Sequence, residues 1–320
     1  MNTQKCIICN SQSIEIKTIL STEMKLSLES YFGDKIYSDL DIVDYQIFKC
    51  KHCDIEYANP MISGSKNFYD WITNHQYYYP RERWEWEVVL EYIKINKINS
   101  ILEIGCGSGD FLEKCNLEGV NCIGLDMTEK SIQISKEKGL NVYCCTIEEY
   151  LKLEGVCKCF DLVVSFHTLE HVDDPASYIQ DNLKLSDRIL VSTPLTTMQR
   201  LPFFDPLNYP PHHMTRWRLN SYIALSKRLN LKSRFFISPP PTLFFMLRNN
   251  LSYKWNGFNT SILTKREFLN EMLVHPLSLI REFINILFKI KRVRAYTIYN
   301  GFEKVIKQRE GFFILVELTR

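Results

Sequence analysis

One stretch of this chain, residues 98–112, constrains the fold more than any other. A short apolar run of strand type leads to Glu103, three glycines follow at alternate positions (Gly105, Gly107 and Gly109), and a helical pattern begins after them. Alternating glycines let the backbone turn sharply and let a ligand approach the peptide planes without meeting a Cβ atom. Because the next helix turns its unpaired N–H groups toward the same place, the stretch predicts a strand–turn–helix unit that binds a nucleotide-like ligand.

The spacing of the glycines distinguishes two classes of nucleotide-binding turn. A dinucleotide site follows Gly-x-Gly-x-x-Gly, whereas this turn reads Gly-x-Gly-x-Gly and continues with Asp110. Glu103 would also place a carboxylate beside the ligand, which suits a cation or a ribose hydroxyl better than a pyrophosphate. The pattern Glu-x-Gly-x-Gly-x-Gly resembles the first motif of the class I S-adenosylmethionine-dependent methyltransferases. The alternative is that the glycines form a purely structural turn.

Support for a ligand site comes from the next predicted strand, residues 121–126. It ends at Asp126, 23 residues after Glu103, and in a doubly wound sheet this strand end lies beside the glycine turn, where an acid can bind both ribose hydroxyls. We therefore expect Asp126 and the adjacent Met127 to bind the cofactor. Many methyltransferases bind the adenine amino group with an aspartate after the third strand, and here Thr146 occupies the matching position.

The most specific signal follows the fourth predicted strand, residues 160–165. Phe166 and His167 leave this strand, and residues 169–175 read Leu-Glu-His-Val-Asp-Asp-Pro. This run resembles the Leu-Glu-His-x-x-Asp-Pro loop of small-molecule methyltransferases. Ligands bind at this edge of open α/β sheets, so we expect Phe166 and His167 to face the cofactor. For His171, a chemical role and a helix-capping role stay open.

A second histidine-containing segment follows the fifth predicted strand, residues 187–194. Residues 210–217 read Pro-Pro-His-His-Met-Thr-Arg-Trp and resemble a segment of bacterial methyltransferases of the same broad group. A hydroxyl or enol acceptor needs a proton acceptor, and the catalytic candidates are His167, His212 and His213. Because adjacent histidines rarely ligate one ion without further carboxylates, the pattern favours a substrate-facing role for His212 or His213 over a metal site, with packing around a rigid loop as the other alternative.

The N-terminal segment contains two Cys-x-x-Cys pairs. Cys6 and Cys9 form the first pair, Cys50 and Cys53 form the second, and 40 residues separate them. Two such pairs can supply the tetrahedral set of four thiolates that Zn²⁺ prefers, and a site with four protein ligands has no open position for substrate. The sequence therefore predicts a structural zinc site, with reduced thiols or a redox-active pair as the alternatives.

Composition and charge indicate that nucleic acid is not the expected partner. The 320 residues are 45% hydrophobic and 24% charged, as expected for an α/β domain with additions. A net charge of +2, with no dense basic block before the C-terminal third, gives no nucleic-acid signature. No signal-peptide core and no run of about 18 apolar residues is present, so we expect a cytoplasmic protein whose eleven cysteines are metal ligands or reduced thiols.

The predicted fold class is α/β: a doubly wound, mostly parallel, Rossmann-like sheet of seven strands, with a small N-terminal zinc-binding β module and a helical insertion before the last strand. The predicted domains are residues 1–65 (zinc module), 66–97 (aromatic linker and cap helix), 98–238 (cofactor-binding core), 239–308 (helical insertion) and 309–320 (final strand). Tyr77 to Tyr79 either join the module to the core or cover the cofactor cleft. Residues 276–294 form either a helix packed on the domain, which we favour, or a peripheral membrane contact.

Over nearly the whole chain, this order of parts is similar to bacterial sugar and surface-polysaccharide methyltransferases with an N-terminal zinc-binding domain, some of which methylate carbon and others oxygen. The resemblance implies S-adenosylmethionine-dependent methyl transfer to a small-molecule or sugar acceptor, nucleotide- or lipid-linked in some cases, in polysaccharide or secondary-metabolite biosynthesis. Two other classes stay open. The glycine spacing opposes an NAD(P)-dependent oxidoreductase, and the intact set of Glu103, Gly105, Gly107 and Asp126 opposes a non-catalytic scaffold.

Overall fold

The computed structural model describes residues 2–37, 39–75, 83–154, 159–195, 205–238 and 313–320. Three of the sequence predictions lie outside these residues: the cover formed by Tyr77 to Tyr79, the insertion at 239–308 and the amphipathic segment at 276–294. Within the described residues, no helix combines the length and the apolar character needed to cross a bilayer.

An antiparallel sheet begins the chain. Its strands are β1 (Thr3–Lys5), β2 (Gln12–Ile19), β3 (Tyr45–Cys50) and β4 (Glu56–Asn59), with helix α1 (Ser21–Phe32) after β2 and helix α2 (Lys66–Thr73) after β4. The sequence analysis did not predict α1. Met24 and Leu28 lie four residues apart on its buried face and pack with Phe68 and Ile72 of α2, so tertiary packing rather than a strong sequence pattern defines the helix.

The second sheet has seven strands, and this confirms the predicted fold class. Its strands are β5 (Ser100–Ile104), β6 (Asn121–Asp126), β7 (Val142–Cys144), β8 (Leu162–Phe166), β9 (Arg188–Pro194), β11 (Lys232–Ile237) and β12 (Phe313–Thr319). They lie in the order β11-β12-β9-β8-β5-β6-β7. Strands β5 to β9 pair in parallel, whereas β12 runs antiparallel to both of its neighbours. The parallel strands therefore end at one edge, where the predicted ligand residues are concentrated.

Helices connect these strands: α3 (Trp84–Asn96), α4 (Asp110–Leu117), α5 (Glu129–Glu137), α6 (Ile147–Glu154), α7 (Pro175–Leu185) and α8 (Leu219–Arg228). The sequence analysis did not predict helix α6. Thr146 and Glu149 exchange side-chain-to-backbone hydrogen bonds of 2.8 and 3.2 Å, which satisfy N–H groups at the start of α6.

The two sheets share a hydrophobic core. One buried cluster contains Cys6, Ile8 and Tyr57 from the first sheet together with Leu102 and Val163 from the second. The short strand β10 (Thr215–Arg216) pairs with β4 and becomes the fifth strand of the first sheet, although it follows β9 in the chain. The cysteine-containing segment and the large sheet are therefore packed against each other and also joined by main-chain pairing.

Candidate active site

A cavity of about 900 Å³ opens at the carboxyl ends of the parallel strands. Nearly all the residues predicted to bind cofactor or to act in catalysis line it: Glu103, Gly105, Gly107, Asp126, Met127, Thr146, Phe166, His167, His212 and His213. Gly109 is not among the lining residues. It adopts φ +75° at the N-terminus of α4, where a Cβ atom would lie 2.3 Å from Leu140 Cδ1. Gly109 thus lies beside the cavity, at a position where close packing leaves no room for a side chain.

The glycine turn forms one wall of the cavity. Gly105 has φ +77°, and a Cβ atom on it would lie only 2.4 Å from Thr168 Oγ1. Gly107 has φ +52°, and its N–H donates a 2.9 Å hydrogen bond to Asp126 Oδ2. The same carboxylate accepts a 2.8 Å bond from Thr128 N–H through Oδ1. These bonds fix Asp126 beside the turn, and burial, the dominant influence, raises its pKa.

Glu103 lies under this turn with 3% of its surface exposed. Its Oε2 atom has no hydrogen-bond partner among the described residues. Burial raises the pKa of Glu103 well above its ordinary value, with smaller contributions from nearby charges. A buried carboxyl oxygen without a hydrogen-bond partner is destabilising, so a bound ligand that offers a donor or a positive charge would complete this wall.

Two other predicted cofactor residues occupy the far side of the same wall. Met127 is exposed and directly follows Asp126 at the end of β6. Thr146 caps α6, because its Oγ1 accepts a hydrogen bond from Glu149 N–H. One acceptor site of this hydroxyl is therefore already used, which limits how it can contact an adenine amino group.

His167 leaves β8 in a left-handed backbone conformation, with φ +53°. Its Nε2 lies 2.9 Å from Glu85 Oε1, and its Nδ1 lies 3.4 Å from Glu170 Oε1. Burial opposes ionisation of Glu85, but the hydrogen bond and charge of His167 produce a net lowering of the Glu85 pKa. Both ring nitrogens of His167 thus face carboxylates. The left-handed backbone of His167 is strained, and backbone strain is concentrated at functional sites.

The opposite wall contains the histidine cluster, which we define as His171, His212 and His213. The ring centroids lie 4.5 to 4.9 Å apart, and the rings of His212 and His213 are stacked. The loop before β10 meets the loop after β8 because Met214 N–H and Thr215 N–H both donate to the carbonyl oxygen of Glu170, at 2.8 and 3.1 Å. Burial lowers the pKa of each of the three histidines.

Three further side chains belong to the site although the sequence analysis did not select them. Glu170 is 1% exposed, and neither of its carboxylate oxygens has a hydrogen-bond partner among the described residues. Tyr69 lines the cavity with a buried hydroxyl that likewise lacks a described partner. Glu85 was detectable as an acid on the buried face of α3, four residues before Val89 and seven before Tyr92. No sequence signal indicated Tyr69.

The four predicted metal-ligating cysteines come together outside this cavity. Their Sγ atoms approach in two pairs, Cys6 with Cys53 at 3.7 Å and Cys9 with Cys50 at 3.5 Å. A tetrahedral zinc site with Zn–S bonds of about 2.3 Å requires sulfur–sulfur distances of roughly 3.8 Å. Backbone N–H groups of Ile8, His52 and Cys53 also point at these sulfurs. The cysteine cluster therefore fits a tetrahedral thiolate site.

The seven-stranded sheet, with a glycine turn after its first strand and an acid after its second, defines a doubly wound nucleotide-binding protein. A family model described as "Methyltransferase domain" matches residues 74–236, half of the chain. The chain therefore belongs to this methyltransferase-domain family, whose model includes the glycine turn, Asp126 and the histidine cluster.

Similar proteins include two ubiquinone biosynthesis O-methyltransferases. The one from Actinobacillus pleuropneumoniae is 34% identical over 103 residues, covering 28% of this chain and 44% of the relative. The one from Hahella chejuensis is 31% identical over 119 residues, covering 30% of this chain and 49% of the relative. The matched regions thus span less than half the length of these relatives. Among solved structures, an S-adenosylmethionine-dependent methyltransferase from Archaeoglobus fulgidus matches 79% of this chain and 100% of that chain, at 19% identity and a TM-score of 0.47.

Proposed function

We propose that the chain is an S-adenosylmethionine-dependent methyltransferase that methylates an oxygen atom of a hydroxyl-bearing small molecule. The observation that supports this proposal is the division of one cavity into two walls. The glycine turn, Glu103 and Asp126 lie on one wall, and the histidine cluster with Glu170 lies on the other. A donor on the first wall would then face an acceptor on the second, so that binding supplies the alignment that the transfer requires.

The first wall fits the proposed cofactor. Gly105 and Gly107 give the turn its left-handed backbone, with φ +77° and +52°, Asp126 is held where it can accept from ribose hydroxyls, and the unpartnered Oε2 atom of Glu103 suits a ligand with positive charge. S-adenosylmethionine supplies a methyl group on a sulfonium and leaves as S-adenosylhomocysteine. We assign cofactor contacts to Glu103, Gly105, Gly107, Asp126, Met127, Thr146 and Phe166.

On the second wall, we assign Glu170 the role of proton acceptor. His167 was a catalytic candidate, but both of its ring nitrogens already face carboxylates, so we give it the role of positioning Glu170. With the cofactor held on the first wall as the methyl donor, Glu170 would take the proton of the acceptor hydroxyl as that oxygen becomes methylated. The tight burial of Glu170 and Phe166 excludes water from the reacting atoms.

The relatives favour oxygen over carbon as the methylated atom, because both are named as O-methyltransferases. Within this proposal, an aromatic hydroxyl of the ubiquinone-precursor type and a sugar hydroxyl in polysaccharide biosynthesis are the two acceptor classes. We further propose a structural zinc ion on Cys6, Cys9, Cys50 and Cys53, whose sulfur spacing fits it.

Calorimetry tests the cofactor assignment. We expect S-adenosylhomocysteine to bind the full-length protein and Asp126→Ala to weaken this binding by about tenfold or more, because a charged hydrogen-bond acceptor is lost. Asp181→Asn is the matched control, since Asp181 lies outside the cavity and pairs with Lys184. Binding of NADH in place of S-adenosylhomocysteine would instead support an oxidoreductase, and binding of neither ligand would support a scaffold.

A further inference from the structure

The histidine cluster brings three potential ligand nitrogens together from two segments of the chain, His171 from one and the adjacent pair His212 and His213 from the other. One ring nitrogen from each of His171, His212 and His213 lies within 4.8 Å of the other two. His212 and His213 are also 6% and 9% exposed, respectively, so their rings are held in place by packing. A metal–nitrogen bond of about 2.0–2.1 Å puts ligand nitrogens roughly 3.4 Å apart around a tetrahedral ion. The three ligand nitrogens would therefore have to move closer to one another by only about 1 Å.

Hydrogen bonds to backbone carbonyls fix two of these rings in the tautomer that a metal site requires. His171 Nδ1 lies 2.6 Å from the carbonyl oxygen of His212, and His212 Nδ1 lies 2.8 Å from the carbonyl oxygen of Leu207. Because a carbonyl can only accept, each Nδ1 carries the proton, and in a neutral ring Nε2 then carries the lone pair. Metal-ligating histidines are commonly oriented by this type of bond from the second nitrogen.

The charges around the cluster also favour a cation. Glu170 Oε1 lies 4.0 Å from His213 Nε2, and neither carboxylate oxygen of this 1% exposed side chain has a hydrogen-bond partner among the described residues. A buried acid without a hydrogen-bond partner is unfavourable, and a cation beside His213 would stabilise it together with His167, whose Nδ1 lies 3.4 Å from Glu170 Oε1.

We propose that His171, His212 and His213 bind one divalent first-row transition-metal ion, with Glu170 beside it and an open coordination position toward the cavity. Three neutral imidazoles with an open fourth position are the arrangement of a catalytic rather than a structural zinc site. The ion deepens the proposed function, on which this role rests. The acceptor hydroxyl would occupy the open position, the ion would stabilise the oxyanion, and Glu170 would take the proton.

The proposed ion is distinct from the one assigned to the cysteine cluster. That cluster offers four thiolates and no open position, whereas the histidine cluster offers three nitrogens beside a carboxylate. The two sites therefore predict different metal contents in variants of the same chain, and this difference can be measured without substrate or cofactor.

The test measures zinc by mass spectrometry in the full-length protein after zinc loading and desalting. We expect about two equivalents in the wild type and about one in His171→Gln and in His213→Gln, since each variant removes one of three ligands. His52→Gln is the matched control, because His52 is an exposed histidine between the ligating cysteines, and it should retain both equivalents. About one equivalent in the wild type, unchanged in both histidine variants, would overturn the proposal.

A second measurement does not depend on whether the variants fold. Cobalt(II) added to wild-type protein that holds one zinc equivalent should produce visible d–d bands without the near-ultraviolet sulfur-to-cobalt charge transfer of a thiolate site. Absence of such bands would also overturn the proposal. Binding of S-adenosylhomocysteine by the same samples separates the two claims: its absence alongside the second metal equivalent counts against the methyltransferase, and the reverse result counts against the histidine site.

Discussion

Glu103 shows how a single residue can oppose stability while serving a binding site. Its carboxyl group is buried, has an unpartnered oxygen and has a pKa well above the ordinary value near 4.5. The unfolded chain therefore loses this proton at lower pH than the folded chain does. Above about pH 4.5 the folded state holds more protons, so the contribution of Glu103 to stability falls as pH rises toward the folded pKa.

We predict that Glu103→Gln stabilises the cofactor-free protein at pH 8, on the order of 2 kcal/mol, and changes its stability little at about pH 3, where both states of the wild type are protonated. Urea unfolding at the two pH values measures this difference. The same variant should lose affinity for S-adenosylhomocysteine. If the difference in stability between Glu103→Gln and the wild type does not grow with pH, the pKa of Glu103 is not raised by burial in the folded protein.

The glycine turn offers a comparison between two positions with the same backbone. Gly105 and Gly119 both have φ +77°, but a Cβ atom on Gly105 would lie 2.4 Å from Thr168 Oγ1, whereas one on Gly119 would meet nothing within 4 Å. Thr168 Oγ1 donates toward the carbonyl oxygens of Ile104 and Phe166, which holds it in place. The two positions thus share a left-handed φ and differ in how closely neighbouring atoms approach.

We predict that Gly119→Ala lowers the free energy of unfolding by about 1–2 kcal/mol, from left-handed strain alone. Gly105→Ala should lower it further and also abolish binding of S-adenosylhomocysteine, because the turn must shift to relieve the contact. Thermal unfolding and calorimetry on both variants measure these effects. Equal effects of the two substitutions on ligand binding would argue against a close approach of the ligand at Gly105.

At the scale of elements, the sequence predicted the strands that have a local apolar pattern. It missed the features that depend on contacts between residues distant in the chain. Strands β5, β6, β8 and β9 have apolar runs bounded by turns, and each was predicted. Helix α1 was missed because its packing against α2 is tertiary. The same holds for the histidine cluster: the two segments were identified separately, but their contact depends on the bonds from residues 214 and 215 to the carbonyl oxygen of Glu170.

Helix α3 contributes to the site through a single residue. Glu85 is 1% exposed and places its carboxylate 2.9 Å from His167 Nε2. We predict that Glu85→Gln lowers the free energy of unfolding by about 1–3 kcal/mol, since a buried charged partner is lost. It should also reduce the rate of methyl transfer, because His167 no longer orients Glu170. Glu87→Gln, at an exposed position of the same helix, is the control and should change neither quantity.

At the scale of the whole molecule, the cysteine cluster and the methyltransferase sheet form one structural unit. Cys6, Cys50 and Cys53 belong to the same buried cluster as strands of the large sheet. Ser221 Oγ at the start of α8 donates a 2.9 Å hydrogen bond to the carbonyl oxygen of Cys53, and Arg228 contacts the carbonyl oxygen of Ile8. A zinc ion on the cysteines would therefore stabilise both sheets, although it lies outside the cavity.

We predict that removing this ion destabilises the whole described fold in a single step. Cys50→Ser should release about one zinc equivalent and lower the free energy of unfolding by several kcal/mol, because metal binding and folding are coupled in such sites. Calorimetric unfolding should still show one transition, since the two sheets share a core. Cys144→Ser is the control: Cys144 is exposed on β7 and outside the cluster, so zinc content and stability should match the wild type. Two separate transitions in Cys50→Ser, with the later one unchanged from the wild type, would show that the large sheet folds independently of the cysteine cluster.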